Sequence, residues 1–223
     1  MERHFDEELK ELKGMLLKMS GLVEEAVSDS IKSLVERDLK LAEKVIHSDH
    51  AINMLEIEID EFSLKLLALR HPEAGDLRLI TSVMKANSDL ERMGDLAVNI
   101  AERVVTLLKE PTLKPLMDIP LMAKTTQGML KDSLDSFVNR DSKLAKSVCE
   151  RDDVVDNLNN QIFRELLTYM LEDQKTIHRA LDLILIARNL ERIADHSTNI
   201  CEDVIFIVEG KNIKHHIQDN VKG

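Results

Sequence analysis

Two stretches a hundred residues apart carry the side chains with chemistry to offer. Ser88–Glu102 reads SDLERMGDLAVNIAE and Arg188–Glu202 reads RNLERIADHSTNICE. Glu91, Arg92, Asp95, Asn99 and Glu102 recur, in order, as Glu191, Arg192, Asp195, Asn199 and Glu202. At ~100° per residue, the acids and amides of each copy share one helical stripe. Carboxylate and amide oxygens without thiolates select hard cations. A polar stripe usually only meets water. Solvation, however, asks for polarity alone, whereas Glu91/Asp95 and Glu191/Asp195 are like charges at i,i+4, each costing ~0.2–0.5 kcal/mol on an isolated helix. Unless the duplication is recent, recurrence of the same residues in the same order points to an acidic face kept for a function.

The elements that must hold these stripes are helices. Val83, Ala86, Leu90, Met93, Ala97, Ile100, Val104 and Leu107 recur at steps of three and four, a narrow apolar seam opposite the acids. A first helix over Phe5–Val35 shows the same rhythm from Leu9 to Leu34, with Gly14 and Gly21 as possible close contacts between helices. Arg37-Asp38 forms a turn with Asp38 as N-cap. A second helix, Leu39–Leu69, carries the polar stripe Asp49, Asn53, Glu56 and Asp60, flanked by His47 and His50. HPEAGD at His71–Asp76 is a loop. Three of the four prolines, at 111, 115 and 120, mark a linker.

The second half repeats the plan. A fourth helix spans Leu121–Asn139, Arg140-Asp141 repeats the turn, and Asp152 and Asp156 correspond to Asp49 and Asn53. Phe163, Leu166 and Leu167 continue the core side of the fifth helix. Glu172–Thr176 is a turn, and the sixth helix runs from Ile177 to a stop at Gly210. The expected fold is all-α: two tandem three-helix bundles of six long helices, at 1–110 and 121–210, with a linker at 111–120 and a polar tail at 211–223 bearing His215-His216. If the second helix of each half faces the acidic stripe, two ligand sets follow. They are Asp49, Asn53, Glu91, Asp95, Asn99 and Glu102, and Asp152, Asp156, Glu191, Asp195, Asn199 and Glu202. Such sets suit divalent or trivalent ions, and several carboxylates can bridge more than one ion.

Composition bounds the rest. Aromatics make up 3% of 223 residues, with no Trp, seven Gly and four Pro, which favours helices over sheets. A formal charge of −11 argues against nucleic acid and suits cations or a basic partner. Cys149 and Cys201 form neither a framework nor a zinc pattern, and Cys201, beside the seam residue Ile200, reads as a buried inert thiol. No signal peptide or spanning helix is evident, so a cytoplasmic location is expected. No glycine-rich phosphate loop or GxSxG is present. A di-iron oxidase would need inward Glu-x-x-His motifs, and no histidine here has Glu three residues before it. A metal-independent acidic adaptor, meeting basic patches on a partner, stays open beside metal binding.

PEAGDLR at Pro72–Arg78, SDLERMGDLAVNIAE and NLERIADHSTNICED together resemble the PhoU family, over nearly the whole chain. The resemblance implies a cytoplasmic, often dimeric, non-enzymatic regulator that represses the phosphate-starvation response. It implies a link between the ATPase subunit of a phosphate ABC transporter and a membrane sensor histidine kinase, with contact to the membrane through partners only. The donor chemistry admits iron, manganese or magnesium, and the resemblance implies metal clusters, multinuclear and sometimes iron, on Glu91 with Asp95 and Glu191 with Asp195. The second half departs from the pattern, with EDQKTIHR in place of PEAGDLR. Asn53 against Asp156 makes the first site the weaker binder in expectation.

Overall fold

The computed structural model describes residues 2–70 and 72–210. The tail with His215 and His216, and the loop residue His71, lie outside the described residues. The chain folds into α1 (Glu2–Glu36), α2 (Leu39–Arg70), α3 (Ala74–Leu107), α4 (Asp118–Asn139), α5 (Ser142–Cys149), α6 (Asp152–Glu172) and α7 (Ile177–Glu209). A 3-10 turn at Gln174–Thr176 precedes α7, and no strand occurs among the described residues. The six-helix plan holds, with the fifth of the six broken into α5 and α6. The break has no Gly or Pro. A tertiary ion pair marks it instead: Arg151 Nη2 donates to Asp132 Oδ2 on α4 at 2.6 Å.

The linker proves shorter than its prolines suggest, because α4 starts at Asp118 and takes Pro120 into its first turn, where a missing N–H costs nothing. Similarly, Ala74, Gly75 and Asp76 belong to α3 rather than to the preceding loop. The linker is pinned. Arg37 donates to Leu108 O at 3.2 Å and Glu110 O at 2.8 Å, and Arg179 donates to Pro111 O at 3.0 Å. The two Arg-Asp turns share one construction. Arg37 and Arg140 adopt left-handed φ of 56° and 52°, and the following Asp N–H closes back on the preceding helix (Asp38 N to Ser33 O 3.0 Å, Asp141 N to Ser136 O 2.9 Å). Each Asp then caps the next helix, Asp38 on Leu41 N and Asp141 on Lys143 N and Leu144 N.

The predicted seams of α1 and α3 are buried throughout. On α3 the buried surface is wider than one seam, since Asn87, Gly94, Leu96 and Ala101 are also enclosed. The reason is that α3 packs against α1, α2 and α7 at once. α7 has the same central role in the second half, against α4, α5 and α6. Two further expectations are corrected. Gly14 and Gly21 face open space, whereas Gly94 is the tight one, where a Cβ would meet Ile52 Cδ1 at 3.1 Å. Phe163 and Leu167 are exposed at 49% and 42%. The buried set on α6 is Val155, Ile162 and Leu166, so of the three residues expected inward only Leu166 is buried.

The halves meet mainly along α3 and α7, with α1 against α4 in support. Polar pairs set the register of α3 and α7. Lys85 Nζ lies 3.0 Å from Asp203 Oδ1, Asp89 Oδ1 lies 2.8 Å from His196 Nδ1, and Arg103 Nη1 lies 3.6 Å from Asp182 Oδ1. As numbers rise on α3 they fall on α7, so the two helices run antiparallel. Asp203 and Asp182 are buried there, at 3% and 8% exposure. Leaving either without its cation would strand a desolvated charge.

Candidate metal centres on two acidic faces

In the first half, α2 lies over the stripe of α3. Asp49 and Asn53 are half-buried and joined, Asn53 Nδ2 donating to Asp49 Oδ2 at 2.7 Å. Asp49 Oδ1 and Asn53 Oδ1 are enclosed and have no hydrogen-bond partner. Glu91 sits close enough to feel their charge. Its carboxyl is held above the usual range by burial first, then by Asp95, Glu56 and Asp49, with Arg92 opposing. Asp95 is raised by burial and by Asp49. Asp49, Glu56, Glu91 and Asp95 therefore form one repelling group bridging two helices.

The second half repeats this arrangement more tightly. Asp152, at the start of α6, has its carboxyl pushed up to about 6, by burial and then by Asp195, Asp156, Asp153 and Glu191. Asp195 is raised by burial and by Asp156, and Glu191 by burial ahead of Asp195 and Asp156. Arg188 offsets part of this for Glu191, its Nη1 lying 2.6 Å from Glu191 Oε2. Asp152 Oδ1 is buried without a hydrogen-bond partner, as is Oδ1 of its repeat equivalent Asp49.

Eight of the twelve sequence-derived candidates thus fall into two groups, Asp49, Asn53, Glu91 and Asp95, and Asp152, Asp156, Glu191 and Asp195. The other four are placed as follows. Asn99 and Glu102 lie exposed further along α3. Asn199 turns its amide to the other half, donating to Asp89 Oδ1 at 3.2 Å. Glu202, like Asp152, lies near Cys149 at the end of α5. His47 is occupied by its own helix, its Nδ1 2.6 Å from Glu43 O. Two residues were left out of the sequence-derived sets. Glu56 faces Glu91, and its repeat equivalent Asn159 lies beside Glu191. Their spacing, one helical turn beyond Asn53 and Asp156, was the available signal.

The donor chemistry fits a hard cation: oxygen ligands only, several raised carboxyls, and enclosed oxygens lacking partners on both faces. As the side chains stand, no three His, Cys, Asp or Glu among the described residues converge closely enough to hold an ion.

A second cluster sits beside the second face. Cys201 is fully buried, as expected from its place next to the seam, but its thiol is not alone. It meets Cys149, which is half-buried at the end of α5. That contact draws the Cys149 thiol below its usual range and, with burial, pushes Cys201 up.

A helical chain built twice from one three-helix plan, with an acidic face between the second and third helices of each copy, defines the class. The PhoU domain profile matches residues 16–104 and 119–204. A "phosphate-specific transport system accessory protein PhoU homolog" of Aquifex aeolicus is 47% identical over 95% of this chain and 96% of its own length. The crystal structure of PhoU from Pseudomonas aeruginosa superposes with a TM-score of 0.90 at 41% identity, covering 93% of this chain and all of that one. That of the phosphate transport system regulatory protein PhoU from Streptococcus pneumoniae gives 0.87 at 35% identity, over 93% and 98%. The chain belongs to the PhoU family. No helix among the described residues is long and apolar enough to cross a membrane.

Proposed function

We propose that this protein is a non-enzymatic accessory regulator of phosphate-specific transport, whose two acidic faces bind divalent or trivalent cations. Its relatives' names support the transport role. The observation that carries the cation reading is the pairing of Asp49 with Asp152. At equivalent places in the two repeats, each keeps an enclosed oxygen with no hydrogen-bond partner. Asp49, Asn53, Glu91 and Asp95 would hold ions on the first face, and Asp152, Asp156, Glu191 and Asp195 on the second. Iron, manganese and magnesium fit these oxygens, and carboxylates numerous enough to bridge allow more than one ion per face. Bound cations would neutralise the repulsion that raises these carboxyls. In this reading the protein, as a cytoplasmic homodimer, links the transporter's ATPase subunit to a sensor histidine kinase and represses the starvation response when phosphate is ample.

Metal analysis of protein purified without a polyhistidine tag, before and after dialysis against Mn²⁺, Fe²⁺ and Mg²⁺, tests the cation part. Bound metal is expected, and Glu191→Gln with Asp195→Asn is expected to abolish it on the second face. Protein that stays metal-free, or a double variant that binds as wild type, refutes it. Deletion of the gene is expected to switch on phosphate-regulated genes despite ample phosphate; unchanged expression refutes the regulatory part. The lack of three converging ligands among the described residues favours a second reading, a metal-independent adaptor whose acids meet a basic partner. Partner capture that falls with salt but ignores chelator would support it over the first.

A further inference from the structure

We propose that Cys149 and Cys201 form an oxidation site, converted by hydroperoxides into an intramolecular disulfide that ties α5 to α7. Cys149 packs against the buried core that contains Cys201, where α5 lies on α7, and the two thiols are side-chain partners there. They differ in access: Cys149 is partly exposed at the last residue of α5, and Cys201 is fully buried on α7. The ion pair Lys146 Nζ–Glu209 Oε1, at 2.7 Å, holds the same two helices together one turn earlier on α5. The Ser136 hydroxyl of α4 contacts Cys201 from another side. The thiols are therefore held against each other by three helices rather than by chance proximity of loops.

The chemistry divides between an entry sulfur and a resolving sulfur. Cys149 sulfur attacks the hydroperoxide, the O–O bond breaks, and one oxygen stays on sulfur as a sulfenic acid. The other oxygen leaves as water, or as an alcohol from an organic peroxide, taking the thiol proton. Cys201 sulfur then attacks Cys149 sulfur, the S–S bond forms, and the sulfenic oxygen departs as water with the Cys201 proton. Two thiols are oxidised by two electrons in total, and one peroxide is reduced. Thiol reductants reverse the bond by exchange.

The location gives the bond a consequence. Cys149 ends α5 and Asp152 begins α6, so a cross-link to α7 anchors the helix break that leads into the second acidic face. This inference is independent of cation binding.

Full-length reduced protein is exposed to an equimolar amount of hydrogen peroxide, alkylated, and digested with trypsin without reductant. The expected product joins peptide 147–151 to peptide 193–211 and disappears with dithiothreitol. Neither peptide contains methionine, so the ten methionines of the chain do not confuse the masses. Cys149 recovered as sulfinic or sulfonic acid, or linked to a second copy's 147–151 peptide with 193–211 left alkylated, overturns the proposal. In Cys201→Ser, a dimedone adduct is expected at Cys149. A variant that folds as wild type by circular dichroism and forms no adduct also overturns it. Because Cys201 is fully buried, the wild-type peptide map decides the matter if that variant is misfolded.

Discussion

Replacing Asp152 by Asn should stabilise the metal-free protein at neutral pH. The Asp152 carboxyl moves from 3.8 unfolded to about 6 folded. The folded state therefore holds this proton to higher pH than the unfolded state does, and stability falls as pH rises from about 4 to about 6. Above that window the full penalty applies, a ceiling of ~3 kcal/mol at ~1.4 kcal/mol per pH unit. The group is only half enclosed, so solvent screening reduces this to ~1.5 kcal/mol. A carboxylate in the first turn of α6 recovers ~0.5 kcal/mol from the helix N-terminus, which Asn forgoes. The net expectation is a gain of about 1 kcal/mol for Asp152→Asn at pH 7.5, fading toward zero near pH 4. Urea unfolding in excess chelator at both pH values measures it. A variant less stable than wild type at pH 7.5, or a gain equal at both pH values, would show that Asp152 is not the strained carboxylate described here. Added Mn²⁺ should reverse the ranking at pH 7.5, stabilising wild type and leaving Asp152→Asn behind.

Other changes probe the scaffold, each by chemical or thermal unfolding. Gly94→Ala forces a methyl to 3.1 Å from Ile52 Cδ1 and 3.3 Å from Cγ2. It should cost ~1–3 kcal/mol in overpacking against ~1 kcal/mol of recovered helix propensity, for a net loss of about 1 kcal/mol. Gly21→Ala, whose Cβ meets nothing within 4 Å, should instead gain up to ~1 kcal/mol; the same sign at both positions would refute the α2–α3 close approach. Arg140→Gly relieves a left-handed backbone, φ 52°, and should raise the melting temperature by the equivalent of up to ~1 kcal/mol. Arg37→Gly, at φ 56°, also loses the bonds to Leu108 and Glu110, so it should gain less or destabilise.

The helical plan was legible because its signals are local. Apolar steps of three and four, the paired Arg-Asp turns and Gly210 mark elements without help from the rest of the chain. The facing of Asp49 and Asn53 onto the stripe of α3 was also accessible, since a short turn folds α2 back along it. What escaped depends on partners remote in sequence. The second buried side of α3 and α7 includes polar residues such as Asn87, Asp182 and Asp203, which hydrophobic periodicity cannot flag. The break before Asp152 is associated with Arg151 on Asp132, not with a breaker residue. The fate of Asn199 turns on Asp89, whose repeat equivalent is Asn189, so nothing in the repeat announces it. Phe163 and Leu167 continue the core side in the sequence, while the phase of α6 turns them out.

The antiparallel run of α3 beside α7 has an evolutionary corollary. Were both halves identical, this packing would be the contact of a two-fold symmetric homodimer, with every residue present on both sides. Position 103 is Arg where its counterpart 203 is Asp, and each finds an opposite charge across the seam, Asp182 and Lys85 respectively. Identical subunits could not encode that exchange of signs. One polypeptide that carries both copies is free of that constraint, so each flank can hold its own ligand preference or client.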